Sequence, residues 1–276
     1  MSDQSSESVR INKYLSQAGF GSRRKVEELV LHRRVQVDGE TVEDLSTRVA
    51  PDQVVKVDGR TVHRSRHTVV FALNKPSRVL VSESDPDGRP LAIDMVRHLY
   101  SGRLFSVGRL DFLSSGLLLF TNDGDLAQAL MRPRTAVERE YVVETSDPIT
   151  DEMMDTFLAG VTIEGVHYRV ARYRRHAARR VSIILTEGKN REIRRMFAHV
   201  HLRVRRIYRN RYGPITLGQL PEGEARPLTT SEIERLRAAI TSTRPRNTRP
   251  AGGHRGSGPS RSNGRPRGTQ RRRGGR

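Results

Sequence analysis

The chain has 276 residues, with 50 Lys and Arg against 31 Asp and Glu, for a formal net charge of +19. That length allows one to three domains, and the charge points to a polyanionic partner, RNA or DNA. No apolar run is long enough to span a bilayer, the polar start Met1–Val9 lacks the core of a signal peptide, and the absence of cysteine excludes disulfides and thiolate metal sites. A reducing cytoplasm fits this composition.

The first segment runs from residue 9 to residue 66. Ile11, Tyr14, Leu15 and Ala18 lie on one face of a helix. Gly19 and Gly21 bracket a break, and Ser22 suits the N-cap of a second helix whose core face is Val26, Leu29 and Val30. Arg23, Arg24 and Lys25 fall in the first turn of that helix, where cations oppose the helix dipole. A bound phosphate would remove the conflict; solvated surface charge is the plain alternative. Val35-Gln36-Val37 and Val54-Val55-Lys56-Val57 each lead into an Asp-Gly pair, Asp38-Gly39 and Asp58-Gly59. Such pairs between alternating strands predict hairpins, with a return strand near Thr41-Val42.

These features resemble the RNA-binding domain first described in ribosomal small-subunit protein four, an S-four-type domain. The likeness rests on Arg10-Ile11-Asn12-Lys13-Tyr14-Leu15, on Gly19 to Lys25, and on Arg34-Val35-Gln36-Val37-Asp38-Gly39. It implies RNA contacts at Arg10, Lys13, Ser22, Arg23, Arg24 and Lys25. It carries no implication of catalysis.

The second segment runs from residue 67 to residue 240. Strands are expected over residues 68–73, 103–107, 116–121, 140–145, 169–173, 181–186 and 202–208. Helices are expected over 91–99, 125–131, 151–159, 191–199 and 230–240. Their irregular alternation predicts an α+β domain with a mixed, mostly antiparallel sheet flanked by helices. No phosphate-binding glycine loop of the nucleotide-binding kinds is present. His199 and His201 lie two apart, which fails a helical metal pair, and they read as surface histidines.

The third segment, residues 241–276, holds eleven arginines and no acidic residue. With almost nothing apolar it cannot bury a core, and it is expected to be a disordered Arg/Gly-rich tail. Salt-sensitive attraction to RNA phosphates is one role for it; a dispensable tail is the other.

Three pieces of the second segment carry chemistry. Gly108-Arg109-Leu110-Asp111 places a lone carboxylate after the apolar run Leu104 to Val107 and before the glycine-led strand Gly116 to Thr121. Read alone, such an aspartate is more often a turn former or helix cap. Glu138-Arg139-Glu140-Tyr141 is a polar turn feeding an apolar strand. Glu187 to Met196 is a turn opening a basic helix. With Leu73-Asn74-Lys75-Pro76 and Arg209-Asn210-Arg211-Tyr212-Gly213-Pro214, these pieces resemble the RsuA/RluB family of ribosomal RNA pseudouridine synthases, nearest its large-subunit RluB-type members. The likeness extends from the first domain to about Leu228.

The resemblance implies a catalytic Asp111, a Tyr141 that packs against the target base, and an Arg194 that pairs with the aspartate. Arg195 is the rival for that pairing, since one helical step turns a side chain by about 100°. Ile193 would form part of the apolar wall. Arg109 would meet the RNA backbone or fill the space of the extracted base, with a salt bridge to Asp123 or Glu192 as its plain alternative. Relatives often carry a polar residue and threonine where this chain has Phe112-Leu113-Ser114-Ser115; Ser115 is expected to keep the local hydrogen bond.

Isomerising uridine to pseudouridine breaks the bond from sugar to ring nitrogen, turns the uracil, and joins its carbon five to the same sugar carbon. Nothing is oxidised or hydrolysed, so no cofactor and no metal are expected. One carboxylate suffices where a retaining glycosidase needs two, because uracil leaves as a stabilised anion. Attack on the sugar, attack on the ring and proton removal from the sugar all fit Asp111. The target uridine must be flipped out of folded RNA. Stacking on Tyr141 would return ~1–3 kcal/mol of that cost.

The expected function is a cytoplasmic, monomeric RNA pseudouridine synthase acting on large-subunit (23S) ribosomal RNA, or on an assembling subunit. The rivals are a small-subunit synthase, a non-catalytic RNA-binding assembly factor, and a DNA-binding architectural protein. Pure binding has no use for a carboxylate beside phosphate, and no pattern here reads a major groove.

Overall fold

A computed structural model describes residues 8–63 and 67–242. The expected tail lies outside the described residues from Thr243 onward, as does the side chain of Arg23. The chain opens with β1 (Val9–Arg10), α1 (Ile11–Gln17), α2 (Arg23–Leu31), β2 (Val35–Val37), β3 (Glu40–Thr41), β4 (Arg48–Val49), β5 (Val55–Val57) and β6 (Arg60–Thr61). Strands β3-β2-β5-β6 form a small antiparallel sheet, and β1 pairs separately with β4. Both Asp-Gly turns have positive φ at each residue, 51° and 91° at Asp38-Gly39 and 51° and 76° at Asp58-Gly59. That is the backbone a tight two-residue hairpin demands. Ile11, Leu15, Val26 and Val30 bury their side chains against Val35, Val55 and Val57 in a core of their own. Ser22 caps α2 as expected, its hydroxyl accepting from the Lys25 amide at 3.3 Å.

The larger sheet follows. Its elements are β7 (Val70–Lys75), α3 (Asp94–Arg97), β8 (Phe105–Ser106), β9 (Ser115–Thr121), α4 (Gly124–Met131), β10 (Arg139–Thr145), α5 (Asp151–Ala159), the hairpin β11 (Val161–Ile163) and β12 (Val166–Tyr168), β13 (Arg172–Ala177), β14 (Arg180–Leu185), α6 (Glu192–His199), β15 (Val204–Tyr212), β16 (Ile215–Thr216), β17 (Ala225–Pro227) and α7 (Thr230–Ser242). The sheet order is β13-β14-β10-β15-β9-β7-β17, with β16 beside β15 and β8 beside β9. Among the described strands of this sheet only β15 and β9 pair in parallel. The central strands β7 and β9 are buried along their whole length, which explains their continuous apolar runs. One apolar cluster packs α5 and α6 with Tyr141, Val143, Ile183 and Ile207; the other packs α4 and α7 with Val70, Leu117, Leu119 and Tyr212. The fold is thus a small two-helix and hairpin domain, of the kind the S-four-type resemblance implies, followed by a domain with a mixed, largely antiparallel sheet flanked by helices.

Several expected elements shift. The helix over 91–99 shrinks to Asp94–Arg97, because Leu80 and Leu91 form a strand-like bridge that holds the preceding residues extended. The strand over 169–173 moves to Arg172–Ala177, since Val170 bonds back to Phe157 and leaves the ladder to begin later. The strand over 202–208 becomes Val204–Tyr212, as Leu202 closes the end of α6 through the Phe197 carbonyl. Helix α6 starts at Glu192 and not at Arg191, whose φ of 50° is left-handed. The return strand expected near Thr41-Val42 is Glu40–Thr41. Ser115 engages through its backbone, paired with Tyr208 in the parallel ladder.

Candidate active site

One transverse row of the sheet organises the site. Reading across the strands, Ile183 pairs with Tyr141, Tyr141 with Arg209, Arg209 with Gly116, and Gly116 with Lys75. Directly opposed residues share a face of a sheet, so Ile183, Tyr141, Arg209 and Lys75 all project toward the side that α6 covers. Gly116 has φ +100°, and Arg209 passes so close that a Cβ there would lie 2.4 Å from its carbonyl oxygen. The glycine that leads the apolar strand is therefore a requirement of strand packing.

Asp111 stands at the entry to this row, in the turn between β8 and β9. The turn is held from three sides. Ser114 donates its amide to the Asp111 carbonyl at 3.0 Å, and Arg78 donates its amide to the Phe112 carbonyl at 2.6 Å. Arg194, from the first turns of α6, donates to the Leu113 carbonyl at 3.2 Å and places its Nε 4.0 Å from the Asp111 carboxylate. The Arg194 side chain is 17 % exposed and that of Asp111 is 38 % exposed, so the carboxylate faces an opening. Burial lowers the Arg194 pKa and the Asp111 charge opposes that. Arg195 turns away to pair with Glu164, which leaves Arg194 as the partner of Asp111.

Tyr141, Ile193 and Leu110 are buried in the same apolar cluster. Arg109 is exposed and forms neither of its two plain salt bridges. Asp123 instead caps α4 and lies 3.8 Å from Arg237, while Glu192 is buried and accepts the Lys189 amide at 3.1 Å. Burial pushes the Glu192 carboxyl above the usual carboxylate range, with the Lys189 amide opposing.

Two further residues of the row carried no expected role. Lys75 is fully buried, its ammonium donating to the Pro76 and Val79 carbonyls at 2.8 Å each. Burial pushes it down to about 8; the Asp111 charge raises it and Arg209 lowers it further. Arg209 is 1 % exposed and donates Nε to the Leu117 carbonyl at 2.7 Å. The sequence signal was clear for Lys75, the one cation in the apolar stretch Val70–Lys75, and hidden for Arg209, one of four arginines in Val204–Tyr212; both lie within motifs already noted for their resemblance.

Among the expected RNA contacts, Arg10, Arg24 and Lys25 are exposed, and Ser22 serves as a cap. Lys13 is engaged: its ammonium lies 2.6 Å from Asp125 at the start of α4. Arg103 likewise bonds Ser16 of α1 at 3.0 Å. The cleft between α1 and the β8–α4 region contains none of Asp111, Tyr141 or Arg194. No helix among the described residues is long and apolar enough to cross a membrane.

Comparison with known proteins gives this geometry a context. A family model for RNA pseudouridylate synthase matches residues 69–199, and an S4 domain model matches residues 9–55. An uncharacterized RNA pseudouridine synthase of Borreliella burgdorferi is 37% identical over 235 residues, 84% of this chain and 94% of its own. Ribosomal large subunit pseudouridine synthase B of Yersinia pestis is 38% identical over 242 residues, 84% and 76% of the two chains. The dual-specificity RNA pseudouridine synthase RluF of Escherichia coli is 37% identical over 228 residues, 82% and 77%. A crystal structure of a pseudouridylate synthase superposes with a TM-score of 0.61 at 26% identity, covering 83% of this chain and 99% of that one. With relatives of this closeness spanning both domains, the chain belongs to the RNA pseudouridine synthases and is an isomerase that acts on RNA.

Proposed function

We propose that the protein isomerises a specific uridine of large-subunit ribosomal RNA, in the cytoplasm, as a member of the RsuA/RluB group, with Asp111 as the catalytic carboxylate. The observation that carries this is the Asp111–Arg194 pair: a partly exposed carboxylate, fixed by a half-buried guanidinium, at the mouth of the row containing Tyr141. In this reading Tyr141 packs against the flipped uracil, Ile193 walls the pocket, and Arg109 meets the RNA outside it. Residues 9–66 grip structured RNA, residues 67–240 perform the chemistry, and residues 241–276 add non-specific attraction. The large-subunit assignment is supported by the similarity to the Yersinia pestis protein across both domains. The equal similarity to a dual-specificity relative favours a second reading, in which more than one RNA is modified.

In this reading the chemistry is carried by Asp111 and Arg194 at the mouth and Tyr141 within the row. The glycosidic bond breaks with its electron pair going to uracil, the ring turns, carbon five bonds the sugar carbon and gives up its proton, and the freed ring nitrogen takes up a proton, so that the atoms balance. Arg194 orients Asp111 toward the flipped nucleotide, and the apolar wall excludes water from the separated pieces. Mapping pseudouridines in ribosomal RNA from cells with and without the protein tests the substrate. One site in large-subunit RNA should disappear; a lost site confined to small-subunit RNA would refute the assignment. Asp111→Ala should abolish that site while RNA affinity stays within about threefold of wild type, as expected when an interaction acts mainly in the transition state.

A further inference from the structure

Arg209 is a charge buried without a counter-charge. Among the described residues no carboxylate lies within ion-pair distance of it, and its Nη2 is buried with no hydrogen-bond partner. Its guanidinium lies 5.1 Å from the Tyr212 ring centroid and 5.9 Å from that of Tyr141. Arg139, also buried, differs: it reaches the Thr186 and Leu130 carbonyls and the Tyr212 hydroxyl. One place along the row from Arg209, across Gly116, sits Lys75, a second buried cation, and the partly exposed carboxylate at the mouth is shared with Arg194. Folding alone gains nothing from a buried guanidinium with one nitrogen unbonded and no opposite charge beside it. Functional sites are where such costs are retained.

The link between Arg209 and the site is the Tyr141 hydroxyl, 3.5 Å from Nη1. Arginine has donors only, so in this contact the phenol oxygen accepts. The phenol proton must then point away from Arg209. We infer that Arg209 is a positioning residue: through its bond to the hydroxyl it holds the Tyr141 ring that packs against the uracil, and its buried charge stabilises the negative charge the base takes when the glycosidic bond breaks. The step is balanced. The electron pair of the carbon–nitrogen bond moves onto uracil and is spread over its nitrogen and carbonyl oxygens. No proton is transferred in that step, and the pair forms the new carbon–carbon bond as the ring recombines. A fixed donor in a dry site is worth far more to such an anion than one in water. The inference rests on the placement of Tyr141 against the flipped base.

The test uses the full-length protein under single-turnover conditions, on RNA carrying either uridine or 5-fluorouridine at the target position, and reads loss of the starting nucleoside, because a fluorinated carbon five has no proton to give up after the bond to the sugar forms. Fluorine makes the ring a better leaving anion, so a group that stabilises that anion matters less. Arg209→Met should lower the uridine rate about 100-fold at saturating RNA, the scale of losing one preorganised donor. The loss should fall to about 10-fold with 5-fluorouridine, with RNA affinity unchanged and Arg209→Lys recovering part of the uridine rate. Tyr141→Phe should remove most of the further effect of Arg209→Met when the two are combined. Equal losses on both substrates, or no recovery with Arg209→Lys, would overturn the inference. So would failure of both Arg209→Met and Arg209→Gln to fold, which would assign the residue to structure. Asp111→Ala, run alongside, separates the levels: retained activity there sinks the site itself, whereas an inactive Asp111→Ala beside flat Arg209 results sinks only the role of Arg209.

Discussion

At Gly116 two backbones approach more closely than any side chain permits. An added Cβ would lie 2.4 Å from the Arg209 oxygen and 2.6 Å from its nitrogen, at a φ of +100°. Gly116→Ala is expected to lower stability by about 3 kcal/mol or more, the combined scale of strained backbone and overpacking, read by chemical denaturation. Lys75 gives a pH signature. Its folded pKa is about 8, below the ordinary 10.5. Between those values the unfolded chain binds more protons than the folded one, so stability rises with pH across that window. Relative to Lys75→Met, the wild type should therefore gain stability as pH goes from 8 to 10.5, and the gap should stay constant below 8. The pairing of Asp111 with an arginine of the basic helix was legible because the motifs that carry both were noted together. The choice between Arg194 and Arg195 was open in the sequence, since neighbouring helical positions differ only in direction. The Leu113 carbonyl and Glu164 settle which way each turns.

Among the elements, α7 shows how a helix start is set. Thr229 and Glu232 bond reciprocally: the Thr229 amide donates to the Glu232 carboxylate at 2.9 Å and the Glu232 amide to the Thr229 hydroxyl at 3.3 Å. This is a capping box, reinforced by Arg226, which holds the same carboxylate through two bonds at 2.7 and 2.9 Å. Those bonds, the Arg226 side chain first, push Glu232 down to about 2. Its folded pKa is below its ordinary 4.5, so the stabilisation is present above that value and lost as pH falls toward 2. Glu232→Gln should cost about 1 kcal/mol at neutral pH, a typical cap value for a partly exposed group, and nothing near pH 2. Elements with strong periodicity or clear caps were legible from sequence: α5 has the expected bounds, and α2 begins after its Ser22 cap. Those that shifted did so through contacts distant in sequence. The Leu80–Leu91 bridge and the Val170–Phe157 bond carry no local signature.

For the molecule as a whole, charge is the property most visible in the sequence and least visible in the fold. Eleven arginines follow Ile240 with no acidic residue among them. Deleting residues 243–276 should leave the denaturation midpoint unchanged while lowering the slope of log affinity for RNA against log salt by several units, since each phosphate contact contributes about 0.9 for a duplex. An unchanged slope would make those arginines irrelevant to binding. Sequence also conveyed the two-part plan and the mixed sheet. It did not convey that Lys13 would be paired with Asp125, because nothing local relates residues so far apart. The parallel contact between β15 and β9 has a further consequence, for biosynthesis. Tyr208 and Arg209 meet Ser115 and Gly116, partners that leave the ribosome more than ninety residues apart. Closing so long a loop is slow, and hairpins such as β13–β14 have time to form first. A nascent chain that has not yet delivered Val204–Tyr212 already holds the acidic turn, the tyrosine and the basic helix, yet lacks the strand that joins them in one row. With the proposed site, competence to modify RNA is thereby deferred until nearly the whole second domain has been made.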